Sequence, residues 1–159
     1  LTEHIDSAFT VWQQNWNKQY SFEMFCRYVL PYRIGNEKTS LWRKTFTVPS
    51  WVREAYDPNQ DNSTYAYGMA NDILGGMRSV IYYPPQFLPD LPLTALEHVK
   101  SASCKEYAHL CVAVLRAHGL PATIDFTPQW GNRSLGHEWC VFFPDNHSFI
   151  RGNGSATTS

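Results

Sequence analysis

The sequence is poor in charged residues, in cysteine and in long apolar runs, and each shortage excludes a class of protein. Only 17% of the 159 residues are charged, and the 13 lysines and arginines do not outnumber the 14 aspartates and glutamates. A protein that binds nucleic acid through bulk electrostatics needs a basic surplus, so we expect no nucleic-acid partner. No apolar run approaches the roughly 18–20 residues of a membrane span, so we expect none in this chain.

Motifs for bound metals and phosphates are also missing. Four cysteines are too few in a chain of this length to predict a disulfide framework. There is no Cys-x-x-Cys pair and no glycine-rich phosphate loop. His137 and Cys140 are ligand types, but their spacing of three directs them to opposite faces of a predicted strand. We therefore expect no metal site and no organic cofactor.

Aromatic residues are abundant instead, at 15%, which is typical of a folded chain rather than a disordered one. Ser21 is suited to cap a helix that stops before Pro31, and the clearest helical pattern starts at Cys104 and is ended by Gly119. Helices are predicted at residues 4–16, from 22 to before 31, about 63–75 with a stop at Gly75-Gly76, 94–99, and 104 to about 117.

The last third of the chain predicts strands, at residues 122–127, 137–143 and 148–153. The turn at 144–147 joins the last two as a hairpin. Helices first and an antiparallel sheet last predict an α+β domain. We expect a single domain over 1–159, with a helical N-terminal part over about 1–92 and a core over about 93–153 that holds the candidate site residues.

Cys104 is the strongest candidate for a nucleophile. It lies where a serine-rich loop, Ser101–Ser103, becomes a helix, and the positive end of the helix dipole favours a thiolate there. Cys111 is seven residues further on, about 10.5 Å along the axis, which exceeds the reach of a disulfide. Its place in the apolar stripe of the helix predicts a core residue.

His137 is the expected partner of Cys104. It starts a predicted strand, where its ring can lie at the sheet edge near a helix N-terminus packed on the same sheet. A thiol–imidazole pair provides both a nucleophile and the group that later protonates the leaving amine. We expect the other candidates to be solvated surface histidines: His98, His109, His118 and His147.

A third residue should orient the imidazole through its other nitrogen. Asp145 is close in sequence but lies at the predicted hairpin tip, about 26 Å along the strand from His137. In a symmetric hairpin centred on Asp145, the residue opposite His137 is Asn153. The spacing therefore predicts Asn153 as the third member. Trp130 and Trp139 either wall a substrate groove or pack in the core.

Three motifs together resemble the transglutaminase-like cysteine hydrolase superfamily: a helix-start Cys, a Leu-Arg-Ala-x-Gly-Ile-Pro-Ala helix end, and a strand-borne His-x-Trp. In this chain they are Cys104–Ala108, Leu115–Ala122 and Gly136–Trp139, within a match over about residues 94–153. Upstream, Leu30–Arg33, Glu37 and Trp42–Arg43 resemble helical regions of bacterial members, especially of the gut Bacteroides type. Ala102 stands where the family has Gly, and Asn153 where it has an acidic residue.

The resemblance implies a papain-like core, a Cys-His-Asp type triad and acyl transfer from an amide in a peptide or protein substrate, with peptidase or amidase activity favoured over transglutaminase activity. It also favours a bacterial protein in an extracytoplasmic location. The chain begins at Leu1 and ends in a polar run, from which we expect a fragment of a longer protein with further domains. The alternative is an inactive transglutaminase-like module that binds peptide or glycan.

Overall fold

The computed structural model describes residues 1–46, 54, 57, 59–77, 81–82, 91–99, 101–129 and 136–151. Its helices are α1 (Thr2–Trp12), α2 (Phe22–Tyr28), α3 (Trp42–Thr45), α4 (Asn62–Met77), α5 (Leu93–Val99) and α6 (Cys104–Ala117). Its strands are β1 (Ile81–Tyr82), β2 (Ser101–Ala102), β3 (Ala122–Thr127), β4 (His137–Phe142) and β5 (Ile150–Arg151). The predicted α+β class is confirmed. Among these described helices, none combines the length and apolarity needed to span a bilayer.

The sheet that packs on α6 is antiparallel, with β4 between β3 and β5. Ala122 pairs with Phe142 at one end of β3 and Thr127 pairs with His137 at the other. The predicted bounds of β3 are confirmed, and β4 starts at His137 as predicted. The residues before Cys104 differ from the prediction: Ser101–Ala102 is not a loop but a short strand that pairs in parallel with β1. Two residues are too few to show a strand periodicity in sequence.

Helix α6 is the centre of the fold. It packs against β3 and β4 on one side and against α1, α3, α4 and α5 elsewhere. Cys111, Val112 and Leu115 belong to a core cluster shared with α4 and the sheet. Leu110, Ala113 and Ala117 belong to a second cluster shared with α3 and α5. Helix α6 is therefore buried on opposite faces, and its contacts position the elements that surround it.

Both ends of α6 are set by local chemistry. Ser103 caps the start: its Oγ accepts the Glu106 N–H at 3.1 Å, and the Glu106 carboxylate accepts the Ser103 N–H at 2.9 Å. Gly119 ends the helix with φ of 81°, a conformation that disfavours a side chain. A Cβ at Gly119 would also lie 2.0 Å from Asn17 Nδ2. The helix therefore begins at Cys104, as predicted.

The N-terminal helices partly follow the predicted pattern. Ser21 caps α2, with its Oγ accepting the Met24 N–H at 3.2 Å, as predicted. Helix α1 ends at Trp12 rather than near 16, and buries His4 and Ala8 while Ile5 is exposed. The predicted stop of α4 at Gly75-Gly76 is wrong, since the helix continues to Met77. Ile73 and Leu74 of α4 belong to the α6 core cluster, and this packing outweighs the low helix propensity of glycine.

Two buried arginines tie the end of α6 to the N-terminal part. Arg43 donates to the carbonyls of Arg116 at 3.0 Å and Pro31 at 3.2 Å, and also to that of Val29. Arg116 donates through Nε to Ala122 O at 2.9 Å. Burial, with the neighbouring charge of Arg116, lowers the pKa of Arg43 to about 9, so it stays cationic at neutral pH.

We expect Arg43→Leu to lower the free energy of unfolding by about 2–3 kcal/mol, because it leaves buried carbonyls without donors. Urea denaturation measures this as a lower midpoint at constant slope. Arg27→Leu is the matched control, since its side chain is 65% exposed and pairs with Glu23 on the same helix. An Arg43→Leu midpoint equal to that of Arg27→Leu would contradict the expectation.

Candidate active site

Cys104 is the first residue of α6 and is half-buried. The capping box engages the N–H groups of Ser103 and Glu106, on either side of the cysteine. The thiol is therefore held at the positive end of a 14-residue helix whose starting point is fixed. This is the setting that favours a reactive thiolate.

Two contacts show that α6 and β4 run in the same direction. In the first half of both elements, His109 Nε2 lies 3.3 Å from Glu138 Oε2. Near their ends, Arg116 bonds to the carbonyl of Ala122, which is the β3 partner of Phe142. The first half of the helix therefore lies beside the first half of the strand.

This alignment relates Cys104 to His137. Cys104 precedes His109 by five residues, about 7.5 Å along a helix, and His137 directly precedes Glu138. The first residue of α6 and the first residue of β4 therefore lie toward the same end of the packed pair. That is the arrangement on which the predicted thiol–imidazole pair depends.

Trp139 follows His137 on the same face of β4, since alternate residues of a strand share a face. The two rings are 5.8 Å apart between centroids, with planes inclined at 35°. Trp139 is only 7% exposed, and the Arg151 guanidinium lies 4.5 Å from the centroid of its ring. Its burial favours packing beside His137, one of the two roles that the sequence predicts for it.

Cys111 and Cys140 differ sharply from Cys104 in burial. Cys111 is 2% exposed in the α6–sheet core, as predicted, and burial raises the pKa of its thiol to about 12. Cys140 is equally buried, and burial together with the neighbouring Cys111 raises the pKa of its thiol well above the usual range. All four cysteines are free thiols, and Cys26 on α2 is half-buried. Cys104 alone combines exposure with a helix start.

The prediction that His109 and His118 are surface residues is wrong. His109 is 6% exposed, and His118 is buried with its Nδ1 2.7 Å from Val114 O. Burial lowers the pKa of His118, so its ring is neutral at pH 7. The prediction failed because the rest of the protein also covers residues that lie outside the apolar stripe of α6. His147 is exposed as predicted, and the side chain of His98 lies outside the described residues.

The predicted hairpin register is also wrong. A turn centred on Asp145 pairs Val141 with Phe149, whereas the structure pairs Val141 with Arg151, two residues further on. The connection is longer because its Asn146 side chain accepts the Ser21 N–H and donates to Gln19 O. These contacts hold the loop against the α1–α2 connection.

Asp145 is engaged within its own turn, which agrees with its exclusion from the site. Its carboxylate accepts the N–H groups of His147 and Ser148 at 2.7 Å and the Ser148 hydroxyl at 2.6 Å. Partial burial opposes ionisation, but these hydrogen bonds outweigh it and lower the pKa of Asp145. The other predicted members, Asn153 and Trp130, lie outside the described residues.

Comparison with known proteins gives one match. The sequence model of the transglutaminase-like superfamily matches residues 29–152, which include Cys104, His137 and the segment upstream of α3. No curated protein and no solved structure matches the chain. Members of this superfamily are usually cysteine-dependent enzymes that act on amide bonds. By this match over most of its length, the chain belongs to the transglutaminase-like superfamily.

Proposed function

We propose that the protein is a cysteine-dependent hydrolase or acyltransferase that acts on amide bonds of a peptide or protein, with Cys104 as nucleophile and His137 as acid–base. The supporting observation is the alignment of α6 with β4, which brings the starts of both elements to one end of the packed pair. The superfamily match supplies the reaction class.

The proposed reaction is acyl transfer through a thioester. The Cys104 thiolate attacks the amide carbonyl, a C–S bond forms, and the Cys104 backbone N–H helps to stabilise the oxyanion. The C–N bond then breaks as His137 donates its proton to the departing amine. In the second half, water or an amine attacks the thioester while His137 takes a proton, and the C–S bond breaks to restore the thiolate.

Hydrolysis is favoured over transamidation, in keeping with the resemblance to bacterial members. Trp130 is proposed as a wall of the substrate groove. Trp139, which is buried beside His137, is proposed to contribute its ring edge to that wall while it supports the imidazole. Water-accepting and amine-accepting enzymes share every step up to the thioester, so the acceptor does not alter the assignments to Cys104 and His137.

Asn153 is proposed as the residue that orients the His137 ring, because the family resemblance aligns it with the third triad position. A hairpin continued in the observed register would pair position 153 with Trp139 instead of His137. Trp139 and His137 share a face, and diagonal neighbours on paired strands remain within reach of long side chains. An amide oxygen can accept the ring N–H and fix its tautomer.

Cys104 should be the first thiol to react with iodoacetamide at pH 6.5, because it lies at the start of α6 and His137 can take the thiol proton. Peptide mapping after brief labelling identifies the modified residue, and His137→Ala should slow its reaction by at least about tenfold. His147→Ala, in an exposed turn, is the control and should leave the rate unchanged.

Label that appears first on Cys111 or Cys26 would contradict the assignment. Slow labelling of Cys104 that His137→Ala leaves unchanged would instead favour the inactive binding module.

Asn153→Ala should lower turnover of a peptide amide substrate while the fold is retained, because the imidazole loses its orienting acceptor. Asp145→Ala should lower thermal stability by about 1 kcal/mol, through loss of its turn hydrogen bonds, and leave turnover nearly unchanged. Steady-state kinetics and thermal denaturation of both variants separate these effects. Loss of turnover in Asp145→Ala with retention in Asn153→Ala would refute the choice of Asn153.

A further inference from the structure

His109 is a buried imidazole between two carboxylates from different parts of the chain. Its Nε2 lies 3.3 Å from Glu138 Oε2 on β4, and its Nδ1 lies 3.8 Å from Glu37 Oε2 in the segment before α3. Its side chain is 8% exposed, Glu37 4% and Glu138 30%. Taking such groups out of water has a free-energy cost that only mutual interaction can offset.

Glu37 fixes the loop on which it lies. Its two carboxylate oxygens accept the N–H groups of Ile34 at 2.9 Å and Gly35 at 2.7 Å. Burial by itself would raise the pKa of Glu37, but these hydrogen bonds and the nearby His109 outweigh burial and lower it. The carboxylate is therefore ionised at neutral pH and presents a fixed negative charge to one side of the imidazole. Two guanidinium groups are also near Glu37: Arg116 interacts with its charge, and Arg33 Nη2 donates to its backbone carbonyl at 3.1 Å.

Gly35 brings the same loop against the ring. A Cβ at this position would lie 2.3 Å from His109 Cε1, closer than any side chain could be accommodated without movement. The loop backbone thus occupies the space beside the imidazole. The ring is confined by the loop on one side and extends to β4 on the other.

Glu138 transmits this constraint to His137, because the two residues share a peptide bond. On the helix, His109 lies in the same rigid element as Cys104. An interaction between His109 and Glu138 therefore sets how the start of β4 lies against the start of α6. An apolar pair could bury the same area at less cost, so this polar pair needs another explanation.

We propose that Glu37, His109 and Glu138 form a positioning network that sets the separation of Cys104 and His137, an inference that rests on the proposed function. The loop before α3 holds His109 through Glu37, and His109 holds β4 through Glu138. These three residues act on the catalytic pair through the backbones of α6 and β4. Through Glu37, the N-terminal part of the chain thereby helps to position the catalytic pair.

The test uses the rate of Cys104 alkylation by iodoacetamide at pH 6.5, where reaction depends on His137, and at pH 9.5, where a free thiol ionises by itself. Glu138→Gln should lower the rate at pH 6.5 by about tenfold and leave that at pH 9.5 within about twofold. Simple destabilisation of the fold would not lower the rate at one pH alone. Glu23→Gln, an exposed carboxylate on α2, is the matched control.

A double variant with His109→Gln tests whether the two residues act together. Glu138→Gln added to His109→Gln should cause no further loss at pH 6.5, since the interaction is already removed. Multiplicative losses, an unchanged rate in Glu138→Gln, or an equal fall at both pH values would overturn the network. If His109→Gln does not fold, the two rates of Glu138→Gln decide the matter alone.

The His137→Ala variant separates this inference from the proposed function. If His137→Ala lowers the rate at pH 6.5 and Glu138→Gln does not, the network is wrong and the catalytic pair stands. If His137→Ala leaves the rate unchanged, there is no pair to position and both proposals are overturned.

Discussion

The burial of α6 on opposite faces is the constraint on which the rest of the structure depends. One face meets α4 and the sheet, and another meets α3 and α5, so the helix cannot shift without opening both clusters. Its start is defined by the Ser103 capping box and its end by Gly119. A rigid central helix with a half-exposed first residue gives Cys104 a fixed place, which a nucleophile on a flexible loop would lack.

Charged groups inside the protein join the N-terminal segment to this helix. Arg43 donates to the carbonyl of Arg116 near the end of α6, and Arg116 donates to that of Ala122 at the start of β3. Glu37 reaches His109 near the middle of α6. Each of these groups is costly to bury alone and is offset by hydrogen bonds or an opposite charge. The superfamily match begins at residue 29 and thus includes this segment together with α6 and β4. The segment that carries Glu37 and Arg43 is therefore structurally continuous with the candidate site.

The sequence predicted the elements whose signals are local. The serine-rich segment at Ser101–Ser103 and Gly119 bound α6 in the sequence, and the β3 prediction is confirmed residue for residue. The hairpin register failed because Asn146 is held by Gln19 and Ser21, more than a hundred residues away in sequence. Long-range contacts of this kind leave no local pattern.

The burial of His109 was not predicted, for a similar reason. The apolar stripe of α6 indicates one buried face, and nothing local shows that the loop at Gly35 and Glu37 covers another. Tertiary packing likewise extends α4 through two glycines. The position of Cys104 at a helix start was predictable, whereas the carboxylates around His109 become evident only from the fold.

The most direct measurement for the central claim is the nitrogen NMR spectrum of the His137 ring at pH 6.5, before and after Cys104 is blocked with methyl methanethiosulfonate. If Cys104 and His137 form a pair, blocking Cys104 removes the sulfur partner of the imidazole, and the His137 ring signals should shift and return when thiol is added. Cys104→Ser is the control, since the reagent also reaches Cys26 and should leave His137 unaffected in that variant. His137 signals that do not move when Cys104 is blocked would contradict the account.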